Sequence, residues 1–264
     1  MAQKKNTSKK KPNNKKKYKI DYNRLVPSVV SIAVIIGIAI FIIISANDTT
    51  NTNAKSVQGK PISTQHKTET IQSGAVSVGN GKTFIVASDE QISYALKNKS
   101  SLSQKKQQVI DSALSLIGKV HYFWGGKSEA IGWDNRWGNM TTVTSSGSST
   151  SGSEKPFGLD CSGFITWCFI QTGMTPDEVY ETVGNGTWNQ WDKSQPIEWS
   201  ELQPGDFAFQ RPYPTSEGNH IGICIGYDDK NKPLFVHCSL GLDNVYVTYA
   251  DDIFTVARRP NIFS

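Results

Sequence analysis

The chain has 264 residues, enough for one sizeable domain or two small ones, and a formal net charge of +5. That charge is unevenly held: residues 1–24 carry nine Lys and one Arg against one Asp, a local +9, whereas residues 25–264 carry 18 basic and 22 acidic side chains. A folded part made basic for nucleic acid is excluded, and four cysteines, at 161, 168, 224 and 238, without CxxC spacing argue against a zinc or thioredoxin-type site.

The basic tail, 1–24, leads into residues 25–46, LVPSVVSIAVIIGIAIFIIISA, which contain no charge. That is about the ~20 residues a helix needs to cross a hydrocarbon core, and Pro27 lies in the first turn, where a proline is tolerated. Ten basic residues precede the run and only Asp48 closely follows it. The positive-inside bias therefore predicts a single-pass anchor with a cytoplasmic N-terminus and an external C-terminal part. A cleaved signal peptide is the competing reading, with Ile44-Ser45-Ala46 as its cleavage site, but tail and apolar run are both long for one. The basic flank is what an anchor requires, so no nucleic-acid partner is invoked.

Residues 47–100 read as a low-complexity, flexible stalk: up to 81 they are rich in Thr, Asn, Ser, Gln, Lys and Gly with no lasting periodicity. Within 82–99 a short strand at 83–87 and a short helix at 89–96 are both readable. A helix begins near Ser101 or Ser103, with Val109, Ala113, Leu116 and Ile117 on one face and Gly118 at its end. Next come Tyr122-Phe-Trp-Gly-Gly126 and a long loop, 127–157. Its first part holds Trp133, Arg136 and Trp137; its second is Ser/Thr/Gly-rich and reads as mobile. A helix is expected from Ser162 to Thr172 and another from Pro176 to Val183. Strands follow at 206–210, 220–227, 234–239, 245–249 and 255–258, separated by turn residues. Helices first and an antiparallel meander afterwards predict an α+β fold.

Cys161 sits directly before the 162–172 helix, where unpaired N–H groups and the dipole favour a thiolate. His220 and His237, both on predicted strands, are its candidate bases. His121 is expected to point away from the neighbouring Tyr122, and His66 lies in the stalk. Strand parity puts His220 and Cys224 on one face, and Cys168 lies two helical turns beyond Cys161. From this a buried thiol pair or disulfide between Cys168 and Cys224 is inferred.

Four blocks in order, Tyr122-Phe-Trp-Gly-Gly, Asp160-Cys-Ser-Gly-Phe, Leu202-Gln-Pro-Gly-Asp and Asn219-His-Ile-Gly-Ile, followed by Phe235-Val-His-Cys-Ser, resemble the NlpC/p-sixty family of papain-like cell-wall cysteine peptidases. The resemblance covers about residues 101–260, so 101–264 is taken as the catalytic domain: N-terminal helices packed on a mainly antiparallel sheet. It implies Cys161 as nucleophile, His220 as general base, His237 as its orienting partner and Tyr122, with the Cys161 N–H, as oxyanion donor. It also places Asp160 and Ser162, either substrate contacts or simply caps, and Trp124 beside the substrate. The 127–157 loop is much longer than the usual link, and Trp133 and Arg136 on it are candidates for a sugar face and a carboxylate. The implied activity is hydrolysis of peptidoglycan stem peptides, at the bond from the γ-carboxyl of D-glutamate to a diamino acid, outside a bacterial membrane, without metal or cofactor. By analogy the partners are peptidoglycan, the membrane, and secretion or conjugation machinery. Alternatives are a cell-wall amidase or lipid acyl transferase with the same nucleophile, or an idle wall-binding module.

Overall fold

The computed structural model describes residues 74–77, 83–250 and 253–264. The basic tail, the apolar run at 25–46 and residues 47–73 and 78–82 of the stalk lie outside the described residues. Among the described residues no helix is long and apolar enough to cross a membrane.

In chain order the elements are β1 (Gly74–Ser77), β2 (Thr83–Val86), α1 (Asp89–Ala95), α2 (Gln104–Ser115), β3 (Met140–Thr142), β4 (Glu154–Pro156), α3 (Cys161–Ile170), α4 (Pro176–Thr182), α5 (Thr187–Asp192), β5 (Ser194–Pro196), β6 (Phe207–Phe209), β7 (Ile221–Tyr227), β8 (Pro233–Ser239), β9 (Asn244–Tyr249) and β10 (Val256–Pro260). Eight strands form one antiparallel sheet in the order β1-β2-β9-β8-β7-β6-β10-β5, and β3 and β4 form a separate hairpin. The α+β expectation holds, with the strands of the meander within two residues of their expected bounds.

Each helix has a local reason. Ser103 caps α2 and Asp160 caps α3. Thr175 and Glu178 form a reciprocal capping box on α4, with Pro176 in the first turn. All ten residues of α3 are buried. Its sequence, CSGFITWCFI, has no polar stripe to turn to water, so it becomes the central helix between α2, α4 and the sheet.

Period-two alternation divides the sheet into two faces. Ile221, Ile223, Ile225, Leu234, Val236, Cys238, Val245 and Val247 join Phe164, Ile165, Cys168 and Phe169 of α3 in the main core. The opposite face carries a smaller cluster built on Ala208, Cys224, Phe235 and Phe254.

Three expectations are corrected. The stalk does not run to residue 100: β2 pairs with β9, Phe84, Val86 and Ala87 are buried, and α1 lays Ile92, Ala95 and Leu96 on the main core. The second half of the long loop is not a loose tether. β3 pairs with β4 from Met140↔Pro156 to Thr142↔Glu154, and Val143 is buried beneath the hairpin. Finally, Cys168 and Cys224 lie in different clusters, on opposite faces of the sheet, and all four cysteines are free thiols. The parity argument failed because His220 and Cys224 share the face turned away from α3.

Candidate active site

The site is assembled where three backbone segments meet. Residues 121–126 run beside 158–160 in a parallel bridge between Tyr122 and Leu159, with Leu159 N–H donating to His121 O (3.1 Å), Phe123 N–H to Leu159 O (3.0 Å) and Asp160 N–H to Gly126 O (3.1 Å). Gly158 is required there, because a Cβ would stand 1.9 Å from His121 O. This zipper places Tyr122 next to the start of α3.

Cys161 is the first residue of α3, one position earlier than its sequence suggested for the helix start. Its sulfur lies 3.9 Å from Asn219 O and accepts the Ile221 N–H, so it rests against the peptide units on both sides of His220. The expected resting thiolate is not met. Burial pushes the Cys161 thiol up to about 12, the Asp160 carboxylate adds to this, and Lys127 with the N–H groups of Ile221 and Ser162 only partly oppose it. Burial outweighs the helix N-terminus, and the anionic Asp160 cap adds to it.

His220 and His237 form a pair, Nε2 to Nδ1 at 2.8 Å, and His237 Nε2 reaches Thr248 Oγ1 at 2.9 Å. Thr248 Oγ1 in turn donates to Tyr249 O at 3.1 Å. A hydroxyl that donates there accepts from His237 Nε2–H; in that arrangement His237 Nδ1 accepts from His220 Nε2–H, and the other ring nitrogen of His220 is the basic one. His237 is fully buried, and burial, followed by the neighbouring His220, holds it well below the usual histidine range, hence neutral. Phe254 seals the relay: its ring stacks on His220 at 5.6 Å and meets His237 edge-on at 5.4 Å.

Tyr122 is buried, and burial, reinforced by its acidic neighbours Cys161 and Asp160, raises its phenol far above the ordinary value. It remains a neutral O–H donor. Asp160 Oδ1 accepts the Gly163 N–H (2.6 Å) and the Ser162 hydroxyl (2.8 Å), and both its oxygens receive Lys127 Nζ at 2.7 and 3.0 Å. Asp160 thus caps the helix, Ser162 donates to that cap, and both also hold a cation. Gln190, fully buried, donates to Ser162 O at 2.9 Å and braces the same turn.

The loop residues are placed differently from expectation. Arg136 does not offer a vacant fork: Nε and Nη2 clasp Asp134 Oδ1 and Oδ2 at 3.0 and 2.6 Å, and this pairing holds Asp134 far below the usual carboxylate range. The sequence signal for this pairing is the carboxylate of Asp134, two residues upstream. Trp124 Nε1 donates to Ser146 O (2.8 Å), tying the zipper to the loop. Trp137 is buried against Trp167 at 5.6 Å, and Trp133 stands edge-on to Trp137 at 4.9 Å while remaining half exposed. Lys127, Thr248 and Phe254 were missed. His121 pairs with Asp243 at 3.1 Å on the surface, outside the relay.

The model of the NlpC/P60 family matches residues 118–259. The chain belongs to that family. Its NlpC/P60 segment takes in the zipper, α3 and the whole relay, but not β1, β2, α1 or α2. It is 36% identical over 132 residues to a probable endopeptidase of Mycobacterium tuberculosis, covering 50% of this chain and 23% of that one. It is 26% identical over 120 residues to the peptidoglycan DL-endopeptidase CwlO of Bacillus licheniformis, covering 46% and 20%. The match therefore spans less than a quarter of either relative's length. Among solved structures, the peptidoglycan hydrolase RipB of M. tuberculosis aligns with a TM-score of 0.41 at 19% identity, covering 62% of this chain and 70% of that one. RipD of the same organism, described as a non-catalytic NlpC/p60 domain protein adapted to peptidoglycan binding, aligns with 0.40 at 19%, covering 60% and 98%.

Proposed function

We propose that the protein is a membrane-anchored cysteine endopeptidase that cleaves peptidoglycan stem peptides outside the cell, between the γ-carboxyl of D-glutamate and a diamino acid. The observation that carries this reading is the relay Thr248–His237–His220, with the Cys161 sulfur at a helix start resting against the peptide units on both sides of His220. The uncharged run at 25–46 with its basic flank supports the anchor and an external catalytic domain. Association with secretion or conjugation machinery remains an analogy of the family.

The chemistry starts from a neutral thiol. Attack of Cys161 on the scissile carbonyl is coupled to transfer of its proton to His220, and the new imidazolium is held by neutral His237. The oxyanion takes hydrogen bonds from the Cys161 N–H and the Tyr122 hydroxyl. His220 then hands its proton to the departing amine, and water, deprotonated by the same ring, releases the acyl group from sulfur.

Digestion of purified cell wall with the full chain in detergent tests this, with the new ends identified by mass spectrometry. New γ-D-glutamyl carboxyl ends and new diamino-acid amines are expected, and Cys161→Ala should produce neither. Ends at the sugar–peptide amide would favour the amidase reading, and acyl transfer to lipid the transferase. Wild-type behaviour indistinguishable from Cys161→Ala would favour a binding module without catalysis.

A further inference from the structure

The relay accounts for the histidines, but the cation on the other side of Cys161 has no part in the proposed reaction. Lys127 Nζ lies 2.7 and 3.0 Å from the two oxygens of Asp160 and 2.6 Å from Ser162 Oγ. Those two residues flank the nucleophile in the chain. Two carboxylate oxygens and a hydroxyl converging on one point make a seat for an ammonium group. The seat is filled by the protein itself.

Lys127 is fitted to this place. It follows Gly126, whose carbonyl receives the Asp160 N–H at 3.1 Å, so its backbone is tied to the rim of the seat. Its alkyl stem lies over Gly163, where a Cβ would stand 3.0 Å from Lys127 Cδ and 2.1 Å from Gly126 O. The side chain is 29% exposed and that of Asp160 11%, so the pair is shielded but not sealed from solvent. A tethered ammonium has an effective concentration of roughly millimolar or more, so a dilute external amine is at a disadvantage from the outset. An amine that did enter would also meet an unneutralised lysine close by.

We propose that Lys127 closes the ammonium seat beside Cys161, so that the enzyme selects stem peptides whose N-terminus is acylated over those with a free amine. This rests on the endopeptidase reading and narrows its substrate class. In intact wall the stem is joined by an amide to the sugar and carries no charge at that end. A peptide already released from the sugar carries an ammonium. Lys127 would thus direct Cys161 to the polymer and away from released peptides.

The test compares kcat/KM of the full chain on L-Ala-γ-D-Glu-L-Lys-D-Ala and on its N-acetylated form, for wild type and Lys127→Met. Wild type should prefer the acetylated peptide by about tenfold or more, the range of one charge-assisted hydrogen bond. In Lys127→Met the vacated Asp160 should recruit the free amine and reverse the preference. Both peptides are assayed on one preparation, so a lost folded fraction cancels in the ratio, and Lys127→Gln takes the place of a methionine variant that does not fold. Equal rates in wild type, an unchanged ratio in the variant, or a folded variant inactive on both peptides would overturn the proposal. So would a wild type that digests wall at the stated bond yet cleaves neither peptide. A wild type inactive on wall and peptides alike removes the endopeptidase reading beneath it.

Discussion

Thr248 decides which way the protons point along the relay. Its hydroxyl donates to Tyr249 O and accepts from His237, and both bonds are buried. Thr248→Val keeps the shape and removes both. A ring N–H of the buried His237 then loses its partner, at a cost of about 1–3 kcal/mol. With the tautomer no longer fixed, kcat should fall about tenfold or more with KM nearly unchanged, and Thr248→Ser should restore most of it. Urea unfolding and steady-state kinetics on cell-wall peptides check both halves; loss of stability with unchanged kcat would reduce Thr248 to a packing residue. Cys161, His220 and His237 stand out in the sequence as candidates because their residue types announce chemistry. Thr248 does not: it reaches His237 only through the β8–β9 register, in which His237 stands opposite Tyr246 and Phe235 opposite Thr248. Phe254 and Lys127 are ordinary residues whose roles arise from what the fold brings beside them.

At the scale of elements, capped helices and alternating strands could be read, whereas the long segment 127–157 could not. β3 and β4 have three residues each, too few for a period to show, and α5 starts from Gly186 without a side-chain cap. What fixes the segment is Trp137, which lies between Trp133 and Trp167 of the central helix. Its indole is a wedge between loop and core, so Trp137→Ala should cost about 3–5 kcal/mol, the usual range for emptying a buried aromatic site. Because Trp124, two residues from Tyr122, is tied to Ser146 on the same segment, activity should fall with it. A denaturation midpoint unchanged from wild type would mean that the segment is an appendage. Trp133→Ala, at the half-exposed end of the stack, should cost much less stability and serves as the control.

For the whole molecule the informative boundary is the N-terminal one. Matching the family covers 118–259, and composition alone extends the stalk to residue 100, yet β2 and α1 belong to the folded body. Composition misled because 83–95 is too short for periodicity to outweigh the polar stretch before it. The consequence reaches the active site. β2 pairs Val86 with Thr248, and Ala87 N–H donates to Val247 O at 2.9 Å, so the strand carrying the end of the relay has β2 as its outer neighbour. A fragment 101–264 would expose the places of Phe84 and Val86, each worth about 1.5–3 kcal/mol when buried, and leave β9 as a sheet edge. At about 2–4 °C per kcal/mol for a domain of this size, it should melt roughly 10 °C below a fragment 74–264. It should also be less active, because Thr248 would lose its fixed neighbour. Equal melting temperatures and equal kcat for the two fragments would return residues 83–100 to the stalk; the expected difference makes them the outer support of the strand that orients His237.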